Sequence, residues 1–429
     1  MSSLTSAHPQ VEVSIGGQLL TRIPPKYLKN FVLNSSQTSI STFQLNFIDP
    51  TFGDLELELM DLVRRQISQQ ANPISTSPDY ARFQFRFGFP EHDLWNPGHD
   101  DGDWYYGHIL RALPRITNAG ILLSIEGKIG HIAPKPMPTS FFGRRSDVVK
   151  TIAEFHAELQ TPEIWDTNDD PREWPAMTPS QDHWDYVVEQ LLPGAESTLK
   201  QYTGGYAFTL RGNGRKLYFG PVLHAPGASS EFRLLVRQSP EILDFSPDID
   251  AFAVGNLAGT GAVMRAYNPL VKEYRKMVSS PIGSKLVIDD PLSQQIWSKT
   301  GEVPLDTVKA LADADKISEE EARERVEFAT KLRYAFLNTD LAEAERLGKQ
   351  AWEELYWRMR SGTTRFYGTP KTLGMVGGDH HHYIVELPNG RVHWTSGYWR
   401  VAQASHRIEN SYTIDAQVKK ITTLTEAGA

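Results

Sequence analysis

Three groups of acidic and histidine side chains are the places where this sequence could perform chemistry. The first is the run Asp379-His380-His381-His382, followed closely by His393 and His406. Imidazole and carboxylate groups are ligands that zinc and other transition metals accept. Consecutive side chains on a β-strand, however, point to opposite faces, so neighbouring histidines chelate one ion poorly. We interpret the run as a polar loop that leads into a strand, and we predict no metal there.

The second group combines acids with tryptophans, as sites that cleave carbohydrates often do. Its members are Asp93, Asp100, Asp101, Asp103, Trp95, Trp104 and His99. Paired carboxylates beside an aromatic platform could in principle hydrolyse a glycosidic bond. Residues 96–103 are nevertheless rich in Asn, Pro, Gly and Asp, which form turns between strands. A solvated hairpin loop that contacts a partner protein accounts for this group.

The third group is Asp182, His183 and Asp185, with His156 and Glu158 on the preceding predicted helix. Acidic residues are favoured in the first turn of a helix by its dipole, so the group has a structural explanation. The sequence contains no G-x-S-x-G, HExxH, Walker A or G-x-G-x-x-G motif. Zero cysteines exclude a cysteine nucleophile, a thiolate zinc site and disulfides. We predict no catalytic residue and no cofactor.

Composition favours a packed protein that does not bind nucleic acid. A length of 429 residues predicts two to four domains, and 40% hydrophobic with 10% aromatic residues is ample for packed cores. A formal net charge of −8 argues against a basic nucleic-acid-binding surface. No apolar run reaches the length of a membrane span, and the first residues lack a signal-peptide pattern. We therefore expect a soluble protein made in the cytoplasm that can leave the cell within a particle.

Hydrophobic periodicity predicts a β-rich α+β multidomain protein. Residues 1–132 are predicted to form a β-barrel with one helix over 54–70, and four phenylalanines alternate along 83–89. Residues 133–240 follow a proline-rich linker at 133–138 and predict a small α+β domain. There Ser146 and Ser180 are expected to be helix N-caps, and 206–219 to form a hairpin.

Residues 241–278 and 363–429 are predicted to form a second β-barrel, interrupted by a helical insertion at 279–362 whose apolar face includes Leu332. Within this barrel, residues 371–420 read as an antiparallel ribbon, with strands at 383–387, 391–394, 398–408 and 412–418. The two barrels could be related internally, but their sequences do not show it. The basic turn Gly143-Arg144-Arg145 predicts a salt bridge to an adjacent chain.

Three motifs in order resemble a known family. The helix at 184–192, leading to the hairpin that ends Leu217-Tyr218-Phe219-Gly220-Pro221, is similar to the middle domain of phage tail hub proteins. Residues 242–250 resemble the opening of their second barrel, and 371–420 resemble their closing strands. The sequence thus resembles the central baseplate hub of contractile phage tails, the late-control-protein-D-like family, which is related to the hub part of type VI secretion spike proteins.

The resemblance implies a structural protein of the virion, located in the tail baseplate. In that family a homotrimer presents six barrels that resemble tail-tube subunits, and so adapts the sixfold tube to the threefold spike. The implied partners are the tail tube or tube-initiator protein, a separate trimeric spike, a tape-measure protein and surrounding baseplate proteins, with DNA only in transit during ejection. Trp394, Tyr398, Trp399 and Tyr412 crowd one ribbon, so we expect some of them between subunits.

Two alternatives remain open from the sequence. One is a phage tail-associated glycan or peptidoglycan hydrolase with β-rich binding modules. The other is the equivalent hub of a headless tail-like injection particle, such as a bacteriocin.

Overall fold

The computed structural model describes most of the chain outside the segment between 249 and 360. The described residues are 9–15, 18–19, 28–49, 57, 60–62, 64–65, 83–96, 104–118, 120–130, 140–156, 159–178, 181–197, 205–211, 214–248, 262–268, 273–279, 286–287, 318–320, 332–337, 361–393, 395–409, 411–420 and 425–426. The proline-rich linker at 133–138 lies outside them.

Strands dominate the described residues. They are, in chain order, β1 (Gln10–Ile15), β2 (Gln18–Leu19), β3 (Leu28–Ser36), β4 (Thr42–Asp49), β5 (Phe83–Phe89), β6 (Leu94–Asn96), β7 (Tyr105–Thr117), β8 (Gly120–Ile129), β9 (Phe142–Gly143), β10 (Glu163–Ile164), β11 (Arg172–Glu173), β12 (Tyr206–Arg211), β13 (Lys216–Pro221), β14 (Ser229–Leu235), β15 (Ile242–Asp248), β16 (Ala262–Asn268), β17 (Glu273–Ser279), β18 (Leu286–Val287), β19 (Leu332–Leu337), β20 (Ser361–Tyr367), β21 (His380–Glu386), β22 (Gly397–Ile408), β23 (Tyr412–Lys420) and β24 (Thr425–Glu426).

Helices are few and short. The described helices are α1 (Arg145–Glu154) and α2 (His183–Tyr186), which continues as a π-helical turn over Val187–Leu191. Short 3-10 turns occupy Pro90–His92 and Val222–His224. The described residues between 57 and 65 are also helical, inside the stretch predicted as a helix. Among all the described residues, no helix is long and apolar enough to cross a membrane.

One fourteen-stranded sheet contains two copies of the same five-strand unit. Its order includes β3-β4-β8-β7-β5 in one half and β15-β20-β23-β22-β21 in the other, and every neighbouring pair within these units is antiparallel. The strands of each unit also follow the chain in the same order. We call these units repeat 1 and repeat 2.

The β-bulges of the two repeats lie at equivalent positions. In repeat 1 the register shifts between Leu28 and Asn30 in β3, and in repeat 2 between Ile242 and Asp244 in β15. The long strands show the same agreement, because the sixth residue of each is the bulged one: Leu110 in β7 and Ala402 in β22. A bulge bends a strand and increases its twist at a defined point. Two bulges in the same places therefore indicate one architecture used twice.

The two repeats are joined edge to edge and share one hydrophobic core. β22 of repeat 2 pairs antiparallel with β3 of repeat 1, and this pairing makes the sheet continuous. The buried core runs from Val11 in β1 to Val418 in β23. Four phenylalanines of β5 face it, as the alternating pattern predicts, because a strand places every second side chain on one face.

Each repeat fills the same core volume with an aromatic ring from a different strand. In repeat 1 the ring is Phe43 of β4, and it covers Gly107 and Gly127, where added Cβ atoms would lie 2.8 and 2.4 Å from it. In repeat 2 the ladders place Gly362 at the position of Phe43 and Trp399 at that of Gly107. The Trp399 ring lies 3.5 Å from where a Cβ on Gly362 would stand. At these positions the two sequences differ although the strand order and the bulges agree.

The outer strands of the repeats differ. β1 pairs antiparallel with β5, whereas the corresponding β14 pairs parallel with β21. No pairing among the described strands closes either repeat into the predicted barrel. The β-rich class is confirmed, and the described pairings form open sheets.

The middle of the chain forms a second core around α1, α2 and the β12–β13 hairpin. The hairpin was predicted from the sequence. The helix caps differ from the prediction. Ser146 lies buried inside α1, where its hydroxyl bonds Thr167, and α1 begins after Arg144. Ser180 lies outside the described residues, and the N-cap of α2 is Asp182, whose carboxylate accepts the Asp185 N–H at 2.8 Å.

Three predictions for the C-terminal half are corrected. β16 was expected in the second barrel, but it pairs with β17 and, in parallel, with β19 in a separate three-stranded sheet. β19 contains Leu332, which was predicted to be helical; most of that predicted insertion lies outside the described residues, and Glu319 and Glu320 are helical. The expected strand at 391–394 is only a bridge between Val392 and Glu386.

Candidate functional site at the joint between the repeats

The joint between the repeats is a six-rung antiparallel ladder. It pairs residues 403–408 of β22 with residues 31–36 of β3, from Gln403 opposite Ser36 to Ile408 opposite Phe31. Beyond the last rung, the Gln37 N–H donates to the Ala402 carbonyl at 3.1 Å. Ile408 and Phe31 are both buried, so the joint closes over apolar side chains. The joint therefore combines backbone pairing with a buried apolar rung.

His406 in the joint is buried and neutral. Its Nε2 lies 2.6 Å from the Met375 carbonyl, and its Nδ1 lies 2.7 Å from the Tyr412 hydroxyl. A carbonyl can only accept, so Nε2 carries the proton and Nδ1 accepts from the hydroxyl. Burial lowers the pKa of His406 to about 4. This histidine therefore acts as a fixed hydrogen-bonding element at neutral pH.

A buried cluster of charges lies next to the joint. Here both repeats meet the unit built on α1, α2 and the β12–β13 hairpin, which we call the middle unit. Arg400 of β22 is 2% exposed and donates from Nε to the Gln37 side-chain oxygen at 2.8 Å. Its Nη1 lies 3.3 Å from the His380 Nε2. The Gln37 carbonyl in turn accepts the Phe208 N–H of β12 at 3.0 Å. Gln37 thus contacts all three units.

Asp379 supplies the negative charge of this cluster. Its two carboxylate oxygens accept the N–H groups of Ala228 and Val376, both at 2.9 Å. Arg211 of the middle unit lies 4.0 Å away and donates to the Gly377 carbonyl at 2.9 Å. Burial raises the pKa of Asp379, while the backbone N–H groups and both arginines oppose that rise. Burial also lowers the pKa of Arg400 to about 10, so it stays protonated at neutral pH.

The predicted histidine run is spread over different environments. His380 faces Arg400, His381 is buried with Nδ1 3.0 Å from the Tyr383 hydroxyl, and His382 stacks on Tyr398. His393 lies 2.8 Å from the Thr395 hydroxyl. In the part of the chain that the structure describes, no three His, Asp or Glu residues are grouped to hold a metal. The run was interpreted as a polar loop, but His380, His381 and His382 begin strand β21, whose ladder gives His381 the position that Phe83 has in repeat 1.

We expect His381→Phe to make the protein more resistant to acid. Burial lowers the pKa of His381 to about 3, below the ordinary 6.5. Below pH 6.5 the unfolded chain binds a proton that the folded chain does not, so stability is present above pH 6.5 and is lost as the pH falls towards 3. Between pH 6.5 and 4 this group costs about 2–3 kcal/mol. Urea unfolding at several pH values measures the change.

The matched control for this prediction is His92→Phe, since His92 is exposed on a 3-10 turn. The control is expected to follow the unaltered chain at every pH. An acid profile of His381→Phe that is identical to that of the unaltered chain would contradict the assignment.

The acid and tryptophan group does not form a sugar platform among the described residues. Arg86 lies between Trp95 and Trp104, with its guanidinium carbon 4.1 and 4.8 Å from their ring centroids, and bonds Glu12 at 2.7 Å. Asp93 is exposed in a left-handed turn conformation. His99, Asp100, Asp101 and Asp103 lie outside the described residues.

The third predicted group is brought together, and an unpredicted lysine completes it. Lys128 of β8 bonds Asp182 at 2.9 Å and Asp185 at 2.5 Å, and the His156 Nε2 lies 3.1 Å from the His183 Nδ1. Burial raises the pKa of Asp185; it would also raise that of Asp182, but backbone and Lys128 hydrogen bonds lower it. A cleft of about 300 Å³ borders Lys128 and Asp185 and is otherwise lined by β3, β4, the loop between them, the π-helical turn after α2 and Gln403. These contacts tie repeat 1 to α2. Glu158 lies outside the described residues.

Three side chains considered for intersubunit contacts are buried within the chain: Arg145, Trp399 and Tyr412. Arg145 does not point to an adjacent chain; it is buried and bonds Asp169 at 3.2 Å and the Pro193 carbonyl at 3.0 Å. Trp399 and Tyr412 lie in the shared core. Tyr398 is 55% exposed, and Trp394 lies outside the described residues.

Solved structures decide the fold. A tail protein from Neisseria meningitidis MC58 superposes with a TM-score of 0.51 over 96% of each chain, at 10% sequence identity. The chain has the fold of this tail protein. This tail-protein fold confirms the resemblance that the three sequence motifs indicated. No protein-family model and no curated protein matches the sequence.

Two further solved structures are similar at lower scores. The 43 kDa tail protein of prophage MuSo2 from Shewanella oneidensis is 9% identical over 96% of each chain, with a TM-score of 0.49. A component of the E. coli type VI secretion system is 6% identical over 94% of this chain and 76% of its own, with a TM-score of 0.42.

Sequence reasoning missed the joint and its charged cluster. Asp379 was considered only as a metal ligand, while Gln37, Arg211 and Arg400 were not singled out. Arg400 alternates with the apolar Trp399 and Val401, as a solvent-facing residue of a strand would, so no local signal indicates that it is buried.

Proposed function

We propose that the chain is the central hub of a phage tail baseplate, a homotrimer that adapts the sixfold tail tube to the threefold spike. The duplicated five-strand repeat, joined edge to edge through β22 and β3, carries the proposal. Two like repeats side by side in one chain become six in a ring of three. Such a ring is threefold in its chains and nearly sixfold in its repeats, which is what contact with both partners requires.

The buried features near the joint support a mechanical role. The joint, the charged cluster and the shared core hold the two repeats and the middle unit in one arrangement. A hub has to keep that arrangement while the spike leaves and DNA passes. A net charge of −8 suits a conduit whose wall does not retain phosphates.

The partners follow from this role. One face of the ring contacts the tail tube or its initiator, and the other holds the trimeric spike, with the tape-measure protein and baseplate proteins around it. The same assembly serves a contractile phage or a headless tail-like particle, and the chemistry of the chain is the same in both.

Purified protein is expected to form a particle of three times the 48.3 kDa chain mass. Native mass spectrometry measures the mass, and negative-stain images are expected to show threefold rings with a central hole. A monomer at micromolar concentration would contradict the proposal. Peptidoglycan turnover by the purified chain that is lost in Asp101→Ala would favour the hydrolase instead.

A further inference from the structure

The edge of β22 that forms the joint has an equivalent on β7. Among the described strands, none pairs with the outer side of that part of β7. The bulged residues Leu110 and Ala402 align β7 with β22, so Arg111 to Ile116 correspond to Gln403 to Ile408. In β22 this segment pairs with β3, whereas in β7 it pairs with β8 alone. Ile116 is 82% exposed and its equivalent Ile408 only 4%. Repeat 1 thus presents the edge that repeat 2 uses for the joint.

Repeat 2 presents the complementary edge. The bulges of β3 and β15 align Phe31 with Phe245 and Asn34 with Asp248. β3 lies between β4 and β22, but β15 pairs with β20 alone among the described strands. Each chain therefore has one edge equivalent to β22, on β7 of repeat 1, and one edge equivalent to β3, on β15 of repeat 2.

We propose that the outer edge of β7 in one copy of the chain pairs with β15 of the next copy, in the register of the β22–β3 joint. The inference rests on the proposed ring and names the strands that close it. Transfer of the register pairs Ile116 with Phe245, Arg115 with Ser246, Pro114 with Pro247 and Leu113 with Asp248 of the next copy.

The side chains of the two edges are complementary. Ile116 with Phe245 reproduces the residue types of the buried pair Ile408 and Phe31. Arg115, opposite Ser246, has Asp244 and Asp248 as its diagonal neighbours on the same face, close enough for ion pairs. An apolar rung beside a charged one fits a second copy of this chain better than an unrelated strand.

Each edge also carries one proline, and the transferred register sets the two opposite each other. A proline on an edge strand lacks an N–H donor and discourages pairing with other strands. With Pro114 facing Pro247, both missing N–H donors fall on one hydrogen-bonded rung, and the other rungs keep their hydrogen bonds. The cost of the two prolines is thus confined to a single rung.

The joint is head to tail, because the two edges are different surfaces of one chain. A contact of this kind repeats from copy to copy until it closes into a ring or extends as a filament. Three copies with six repeats close the ring of the proposed function.

A cysteine pair tests the inference in a chain that has no cysteine of its own. Leu113→Cys with Asp248→Cys places one thiol on each edge at a rung equivalent to Ser405 and Asn34. Gln37 and Ala402 lie opposite each other and are hydrogen-bonded, and hydrogen-bonded rungs alternate with non-hydrogen-bonded ones. The rung of Ser405 and Asn34, three positions further on, is therefore non-hydrogen-bonded, with Cα atoms about 4.5 Å apart, where a disulfide fits. Mild oxidation is expected to give covalent dimers and trimers that disappear on reduction.

The controls use the same chemistry. Each single cysteine variant is expected to give no covalent trimer. Asn34→Cys with Ser405→Cys is expected to form a disulfide within one chain, without change of covalent mass. As a second measurement, Ile116→Asp is expected to lower the trimer fraction at least tenfold in native mass spectrometry, while Val392→Asp, at another exposed apolar residue, leaves it unchanged.

The outcomes separate this inference from the proposed function. A trimer that neither cross-links through 113 and 248 nor responds to Ile116→Asp overturns the strand assignment and leaves the hub intact. Cross-linked chains longer than three support the joint and count against the trimer. A monomer under all conditions overturns both.

Discussion

Replacing Asp379 with alanine is expected to lower the free energy of unfolding by about 3–5 kcal/mol, because it leaves buried charge uncompensated. Asp379 is 4% exposed and faces Arg211 and the fully desolvated Arg400. Its carboxylate also accepts the N–H groups of Ala228 and Val376, which would lose their acceptor. Urea unfolding followed by tryptophan fluorescence measures the loss.

The effect is expected to be local as well as global. Amide hydrogen exchange at Ala228 and Val376 should accelerate, since these are the donors that Asp379 holds. Asp379→Asn keeps an acceptor oxygen but removes the charge, so its cost should lie between that of alanine and zero. Equal costs for Asn and Ala would show that the charge contributes nothing.

Asp415→Ala is the matched control for this prediction. Asp415 also pairs with an arginine, at 2.6 Å from Arg365, but Arg365 is 59% exposed. Exposed ion pairs contribute less than about 1 kcal/mol. Similar losses in Asp379→Ala and Asp415→Ala would contradict a role for the buried cluster in holding the three units together.

Phe43→Ala is expected to cost about 3–5 kcal/mol, because it empties the core volume that Gly107 and Gly127 leave open. Phe43 is 2% exposed and stacks on Phe83 at 5.5 Å between centroids. The control Phe142→Ala removes a ring that is 75% exposed and should cost less than 1 kcal/mol. Urea unfolding of both variants measures the difference.

A double-mutant cycle tests the packing argument itself. Gly107→Ala alone should destabilise the protein, since its Cβ would lie 2.8 Å from the Phe43 ring. In the Phe43→Ala background the same change fills part of the cavity. We expect a favourable coupling of about 1–3 kcal/mol between the two substitutions. Strictly additive losses would mean that Phe43 and Gly107 do not share this volume.

The comparison of repeats also explains which sequence signals misled. His380, His381 and His382 suggested metal chemistry, yet they are strand residues with separate contacts. Trp399 and Tyr412 suggested an interface, because the space available for large rings cannot be read from one strand. Trp399 packs against Gly362 of another strand, 3.5 Å from where a Cβ would stand there, and nothing in its own strand indicates this.

Local patterns were enough to predict the strands themselves. The alternation in Phe83–Phe89, the hairpin of β12 and β13, and the ribbon of β21 to β23 depend on side chains two residues apart and on turn residues. The order of three such motifs was also enough to indicate the tail-protein fold, which the structure of a tail protein confirms.

Only the tertiary structure decided how these strands combine. Gln37 and Arg400 are 363 residues apart in the chain, and nothing local to either predicts that they bond. The parallel pairing of β14 with β21, the β22–β3 joint and the matched bulges are likewise long-range. A strand's own sequence fixes which side chains face inward, because that depends on a period of two. It does not fix which edge it pairs with, because that depends on the shape and charge that the whole sheet presents.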